Sequence, residues 1–360
     1  MAKFVRKFRY AIVSVAVFCI CCSRIAWTSA VAAPKVVAPA PASVQREDHA
    51  QMPILPQFEN AIVDVFNGKK SAVARVVCVS KFPETSADEV SSNQVIAGSG
   101  FFVSDRAHVL TSASIVKNAH MIWIDYMGAS YSAECIGSDA HTNVAVLRLL
   151  RPPSEFGIVD VSEDNQRSLA SIGSFVVFVG CKLGMDPSPE LGNISGKNIS
   201  YSDNMFLTTY LRTNLPFCGG ESGAPVFDLR GNLVGMMIAS LPEMSSSFVL
   251  PKRALSKVFG ELVKNGSVKH ANIGVEVQSE YRFNEGQEIV ISKIISGSEA
   301  EKAGLQPGDV IKKIGTFPVH YREDLHNAIF FCGDGGVIDV AVERNGKRLS
   351  LPVKSEYIVD

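Results

Sequence analysis

From Ala72 to Ile238 the chain never sustains a helical period; its apolar residues come in short runs, each closed by turn-forming residues. Val73–Val79, Gly100–Val103, His108–Thr111, Met121–Tyr126, Val144–Leu149, Phe175–Val179 and Leu233–Ile238 are the clearest of these, and each reads as a strand. Strands at this spacing, with no long helices between them, bury their apolar faces by closing into barrels or stacking as a sandwich. A helix is expected on either side, over Phe58–Phe66 and Leu255–Val263, and Asn265-Gly266-Ser267 makes a hinge after the second. The unit so bounded covers residues 58–264.

Beyond the hinge the pattern changes. Ser298 followed by Glu301 forms a capping box, opening a short helix that Gly304 can end in a left-handed cap. Pro307-Gly308-Asp309 turns the chain into a strand at Val310–Ile314, and a second helix follows at Arg322–Phe331. Asn345-Gly346 then makes a hairpin turn. Residues 271–356 therefore form a separate, small domain of mixed helix and strand.

The N-terminus has another composition again. Lys3, Arg6, Lys7 and Arg9 precede an apolar run from Tyr10 to Cys22, and Ala30-Val31-Ala32 supplies a small-residue end. That is the pattern of a secretory signal peptide over residues 1–33. The run is short for a transmembrane helix, so cleavage is expected; retained, it would anchor the protein to the membrane through residues 10–22. Residues 34–57, rich in proline and alanine, read as an extended tether. The protein is thus expected to be exported to the periplasm or cell envelope. A formal net charge of −1 gives no reason to expect nucleic acid as a partner. Cys19, Cys21 and Cys22 fall in the export segment, leaving Cys78, Cys135, Cys181, Cys218 and Cys332. That odd set excludes a complete disulfide framework, although Cys181–Cys218 could bridge if their loops meet. Buried free thiols are expected for most of the five.

The chemistry concentrates at Gly219-Gly220-Glu221-Ser222-Gly223-Ala224-Pro225. A tight turn pushes the Ser222 hydroxyl outward, and Gly220 lets its own N–H and that of Ser222 converge on one spot as an oxyanion hole. A serine so placed cuts a peptide bond only with a base beside it.

Other motifs stand in order around this loop: Gly98-Ser99-Gly100-Phe101-Phe102, Thr142-Asn143-Val144-Ala145-Val146-Leu147, and Phe248-Val249-Leu250-Pro251 before a helix. The last domain adds Ala300-Glu301-Lys302-Ala303-Gly304-Leu305-Gln306-Pro307-Gly308-Asp309-Val310-Ile311. Taken together, residues 58–356 resemble the HtrA (Deg) family of serine proteases. The resemblance implies a mainly β protein, a chymotrypsin-like double β-barrel followed by a small α+β PDZ domain, assembled as a homotrimer through the protease-like part. No cofactor is expected, and no grouping of His, Cys and carboxylates has metal-ligand spacing.

In that family the base is a histidine shortly after a Leu-Thr pair. Here Leu110-Thr111 leads to Ser114, so serine occupies the histidine position. The aspartate position, directly before Val144-Ala145-Val146-Leu147, is Asn143. A hydroxyl takes up no proton near neutral pH, so Ser114 cannot replace an imidazole. Removing the base from a serine-protease triad costs on the order of a million-fold in turnover. A pseudoprotease is the expectation. His108, His120 and His141 are alternative bases, Lys117 offers a Ser–Lys dyad and Cys218 a thiol; each also has a plainer reading as a surface, turn or structural residue. The Ser222 turn itself either shapes the barrel with its hydroxyl idle or lines a groove that holds peptides uncut.

The PDZ resemblance implies that a peptide adds as an extra strand, its terminal carboxylate held by backbone N–H groups. Asn272-Ile273-Gly274-Val275 matches the carboxylate-binding loop, with Gly274 permitting close approach. Leu325 and Ile329, one turn apart, either line the groove or simply pack the core. The expected function is capture of exposed or unfolded C-termini in envelope protein quality control, alone or as partner of an active relative. The alternative is a serine endopeptidase that uses Ser222 with an unorthodox base.

Overall fold

The structure is a computed structural model that describes residues 54–81, 93–162, 169–201, 204–216, 218–241, 244–282, 286–333 and 335–357. The export segment and all but the end of the tether lie outside the described residues. Among the described residues no helix is long and apolar enough to cross a membrane.

Helix α1 (Ile54–Lys69) begins before Phe58, taking in the end of the expected tether. Pro56 falls in its first turn, where a missing N–H costs nothing. The short apolar runs that follow do form strands, and the strands close. Strands β1 (Val73–Lys81), β2 (Asn93–Phe102), β3 (His108–Ser112), β4 (Ala119–Tyr126), β5 (Ala129–Asp139) and β6 (Val144–Leu149) make one antiparallel barrel in the order β1-β2-β3-β6-β5-β4. A single turn of helix, α2 (Ala113–Val116), joins β3 to β4. Strands β7 (Phe175–Gly180), β8 (Ser188–Tyr201), β9 (Asn204–Thr213), β10 (Pro225–Asp228), β11 (Leu233–Leu241) and β12 (Ser246–Pro251) close a second barrel as β10-β11-β12-β9-β8-β7.

Alternation along β2 shows how sequence becomes architecture. Phe101 and Phe102 are both fully buried, yet they serve different cores. Phe102 points into the first barrel with Val76, Val109, Ile124 and Leu147. Phe101 points the other way, into the layer between the barrels, beside Val146, Val177, Phe227 and Leu250. Each such ring stabilises the fold by about 1.5–3 kcal/mol relative to exposure. Helix α3 (Lys252–Asn265) closes this layer with Leu255, Val258 and Leu262. It ends at Gly266, which adopts a left-handed φ of 74° and donates its N–H to Leu262 O.

The last domain comprises β13 (Ala271–Asn272), β14 (Val275–Arg282), β15 (Gly286–Ile294), α4 (Glu299–Lys302), β16 (Val310–Ile314), β17 (Phe317–Pro318), α5 (Arg322–Cys332), β18 (Val337–Arg344), β19 (Lys347–Lys354) and β20 (Glu356–Tyr357). Its main sheet runs β14-β15-β16-β18-β19, which leaves β14 at one edge. Ser298 caps α4 by accepting the Glu301 N–H, but the Glu301 carboxylate takes the N–H of Gly297 instead of closing the box on Ser298. Ser298 donates its own N–H to Ile295 O, so it has none to offer. The β18–β19 turn is as expected: Asn345 and Gly346 both have positive φ, 51° and 72°.

Among the described residues, side-chain hydrogen bonds tie this domain to the barrels through Asn327 and through His270 just before it. Asn327 on α5 accepts from Thr208 Oγ1 (2.6 Å) and Thr209 N (2.9 Å) of β9, and donates to Thr209 Oγ1 (2.8 Å). His270 Nε2 meets Asp139 Oδ1 at 2.8 Å, with both side chains almost fully buried. Around these contacts Phe330 of α5 packs into the inter-barrel core, and the Arg253 guanidinium lies 4.0 Å from the centre of the Phe331 ring.

Candidate functional site

The Ser222 loop is held from below by β2. The N–H of Ser99 donates to Ser222 O (2.9 Å), and Ser99 Oγ donates to Gly220 O (2.7 Å) while accepting the Cys181 N–H (2.8 Å). Thr111 Oγ1 in turn donates to Ser99 O at 2.8 Å. Two glycines make the approach possible. Gly220 and Gly223 have φ of 97° and 88°, and a Cβ on Gly223 would stand 2.4 Å from Ser99 O and 2.8 Å from Ser112 N. The loop is thereby pressed against the end of β3, beside the segment that carries Ser114. Among the described residues no carbonyl accepts the N–H of Gly220 or of Ser222.

The Ser222 hydroxyl is the exception to this order. Its Oγ is enclosed by protein and has no hydrogen-bond partner among the described residues. Ser114 and Asn143, the residues at which the family resemblance looks for the histidine and the aspartate, are bonded elsewhere. Asn143 Oδ1 accepts the backbone N–H of Ser114 (2.8 Å), its carbonyl accepts that of Ala113 (3.1 Å), and its Nδ2 donates to Ile238 O (2.8 Å). Asn143 sits at a φ of 57°, a left-handed conformation that asparagine and aspartate tolerate better than other side chains. Ser114 Oγ pairs with Ser112 Oγ at 3.0 Å. The Asn143 side chain thus caps the first turn of α2 while the Ser114 hydroxyl turns to Ser112, and neither is hydrogen-bonded to Ser222 Oγ.

No other candidate base does so either. His108 lies on β3 with Nδ1 on Ser104 Oγ at 2.9 Å, and burial, then the charge of Arg148, hold its imidazole below the usual histidine range. His120 is exposed, and the His141 ring stands 5.1 Å from that of His270. Lys117 is also exposed. Cys181 and Cys218 are unbridged, although their loops do meet: the Leu183 N–H donates to Gly219 O at 2.7 Å. Burial pushes the Cys181 thiol up to about 12, so it stays protonated. Cys78 is buried like Cys181, whereas Cys135 and Cys218 are exposed free thiols.

Directly before the nucleophile position, Glu221 is fully buried. Its Oε2 accepts the Cys218 N–H (2.5 Å), and its Oε1 lies 3.5 Å from Lys182 Nζ, which is also paired with Glu190. Burial holds the Glu221 carboxyl above the usual range against those two attractions. The motif disclosed the acid, but nothing in it disclosed that the acid faces inward onto a lysine of a distant loop.

The second site is better formed. Between the start of β14 and α5 lies a cavity of about 460 Å³, and Ile273, Gly274, Val275, Leu325 and Ile329 all line it. Ile273 and Leu325 are also buried in the domain core, with Ile329 packed against it, so groove wall and core are the same surface. Asn272 Oδ1 accepts the Gly274 N–H (2.7 Å) and bends the loop, and a Cβ at Gly274 would stand 2.3 Å from Ser298 Cβ. Arg322, His326 and His270 line the cavity too, and Leu207 reaches in from β9. The sequence reading missed these. Arg322 precedes Leu325 and Ile329 by one and two turns on the same helical face, and that spacing could have found it. Burial, then the Arg322 charge, lowers the His326 imidazole, so it is neutral near neutral pH. Among the described residues no group of three or more His, Cys, Asp or Glu could hold a metal ion.

Known proteins match both parts. The model of the trypsin-like peptidase domain matches residues 98–236, and that of the PDZ domain matches residues 271–354. A probable periplasmic serine endoprotease DegP-like of Hahella chejuensis is 28% identical over 269 residues, covering 71% of this chain and 56% of that protein. Its counterpart in Chlamydia trachomatis is 26% identical over 270 residues, covering 72% and 53%. The chain therefore spans about half the length of these curated relatives. Among solved structures, the HtrA-type protease AlgW with tripeptide superposes with a TM-score of 0.69 at 20% identity, over 83% of this chain and 98% of that one. A serine endoprotease from Yersinia pestis gives 0.57 at 21% identity, over 83% and 98%. At such identity these superpositions speak for the fold alone: two barrels, then a PDZ domain.

Proposed function

We propose that the chain, a trypsin-like domain joined to a PDZ domain and similar to DegP-like endoproteases, is a non-cleaving member of the HtrA/DegP family that captures C-terminal or unfolded peptides. One observation carries the reading: the Ser222 hydroxyl has no acceptor among the described residues, while the Ser114 hydroxyl is paired with Ser112 Oγ and the Asn143 side chain is held by the backbone of Ser114 and Ile238. Without a base the serine remains a neutral alcohol, a poor nucleophile toward an amide. The groove, in contrast, has an apolar floor and an edge strand, and its glycine loop would offer backbone N–H groups to a terminal carboxylate once Asn272 releases that of Gly274.

Location follows from two independent supports. The relatives are named periplasmic, and the basic, apolar and small-residue order of residues 1–33 is that of an export signal. The protein then works in envelope quality control, as a homotrimer or as the partner of an active relative, and is membrane-attached only if residues 10–22 are kept. That no carbonyl among the described residues takes the Gly220 or Ser222 N–H favours the rival reading, an endopeptidase with an unorthodox base.

The groove reading is tested by calorimetric titration of the full-length protein with hexapeptides that end in an apolar residue. Free acids are expected to bind, and the same peptides as C-terminal amides to bind at least about tenfold more weakly, since one charge-assisted contact is lost. Ile329→Arg should lower affinity similarly by filling the groove. Equal binding of acid and amide would remove the carboxylate loop from the account.

A further inference from the structure

Strand β14 is an edge strand, and its unpaired side faces α5. A peptide that adds there needs the backbone acceptors of that side. One of them is already taken: Arg322 Nη2 donates to Val277 O at 2.6 Å. The guanidinium therefore sits where a ligand backbone would pair. Its charge is also uncompensated, since among the described residues no carboxylate pairs with Arg322. The one acid lining the cavity, Glu276, is paired with Lys293 at 2.8 Å. A half-buried cation that meets only a neutral carbonyl has an unfilled demand for an anion.

Strand geometry says where on the ligand that anion belongs. With the terminal carboxylate at the 272–275 loop, the last residue pairs beside Val275 and drops its side chain toward Ile273, Leu325 and Ile329. Side chains alternate along a strand, so the next one on the same side belongs to the residue third from the end. That residue lies beside Val277, next to the first turn of α5. We propose that Arg322 is the specificity-determining residue of the groove, yielding Val277 O to C-terminal peptides that carry Asp or Glu third from their end. The carboxylate side chain takes the guanidinium in a two-point contact, and the ligand N–H takes the freed carbonyl. Peptides with a neutral or basic residue there must displace Arg322 without offering it a partner.

The inference rests on the peptide-capture reading and is tested apart from it. Two fluorescent hexapeptides ending in the same valine, one with Glu and one with Gln third from the end, are titrated into the full-length protein at low and high salt. The Glu peptide is expected to bind about tenfold more tightly at low salt, with the ratio shrinking as salt rises. Arg322→Gln should bring the ratio to about one, and Arg322→Lys should keep part of it. Circular dichroism confirms that each variant is folded. Equal affinities in the parent, or a preference that survives Arg322→Gln, overturn the assignment while leaving peptide capture intact. Failure of both peptides to bind overturns the assignment together with the reading beneath it.

Discussion

Replacing Ser114 by histidine and Asn143 by aspartate together is expected to raise peptide-bond cleavage at least about a thousand-fold over the parent protein. The reason lies in what the fold has kept. The Ser222 loop is braced by Ser99, no carbonyl among the described residues takes the Gly220 or Ser222 N–H, and Gly223 lets the loop lie against β3. What is missing is an acceptor for the Ser222 proton. A histidine at 114 supplies one, and aspartate is close in shape to Asn143, accepts the Ser114 N–H equally well and tolerates the left-handed backbone there. The exchange has a cost, because Asn143 Nδ2 now donates to Ile238 O and a carboxylate cannot. Loss of that donor is expected to lower stability by about 1–2 kcal/mol, which thermal unfolding would register. Cleavage of a fluorogenic unfolded substrate checks the gain, with Ser222→Ala in the same background returning it to zero. No gain in a folded variant would place the defect in the loop itself.

The second large effect concerns the joint between the domains. Asp139 ends β5, accepts from the Thr142 backbone N–H (3.1 Å) and its hydroxyl, and meets His270 at 2.8 Å. Burial opposes ionisation, but the hydrogen bonds from His270 and Thr142 outweigh it and hold the carboxyl below its usual range. Asp139→Ala removes one member of a buried pair and is expected to cost ~3–5 kcal/mol. Asp139→Asn keeps an acceptor and should cost less. The pH dependence follows in sign. A carboxylate with a depressed folded pKa stabilises above its unfolded value, about 4, and that contribution is lost as pH falls through the folded value. Stability of the parent should therefore fall in acid below about pH 4, and more steeply than that of Asp139→Ala. Denaturant unfolding at neutral and acid pH measures both. Equal slopes would mean that the pair is not linked to folding.

The same pair shows where sequence reading stops. The two residues lie 131 positions apart, and neither belongs to a motif. The strands with strong apolar runs were legible, as were the Ser222 loop, the glycine loop at 274 and the two groove residues of α5. Strand β8 was not, because its buried face over 192–196 is Gly192, Ile194 and Gly196, with Gly192 set against the Leu215 side chain and Gly196 against Arg212. Small residues fit a crowded barrel but leave almost no hydrophobic alternation to read. Helix α3 was placed but drawn short, since Lys252 and Arg253 at its start are not apolar. The serine at 114 and the asparagine at 143 could be read from the motifs, and their place in a triad rests on the family resemblance. That Asn143 caps the turn carrying Ser114, whose hydroxyl pairs with Ser112, was a matter of three-dimensional contact.

The central claim is that this protein holds peptides without cutting them. Its most direct test incubates an unfolded protein substrate with the full-length protein and with Ser222→Ala, each with and without a peptide that fills the PDZ groove, and follows the products by mass spectrometry. The expected result is an intact substrate in all four reactions, with the groove peptide bound equally by both proteins. Fragments that appear with the parent and vanish with Ser222→Ala would contradict it and make this an active protease.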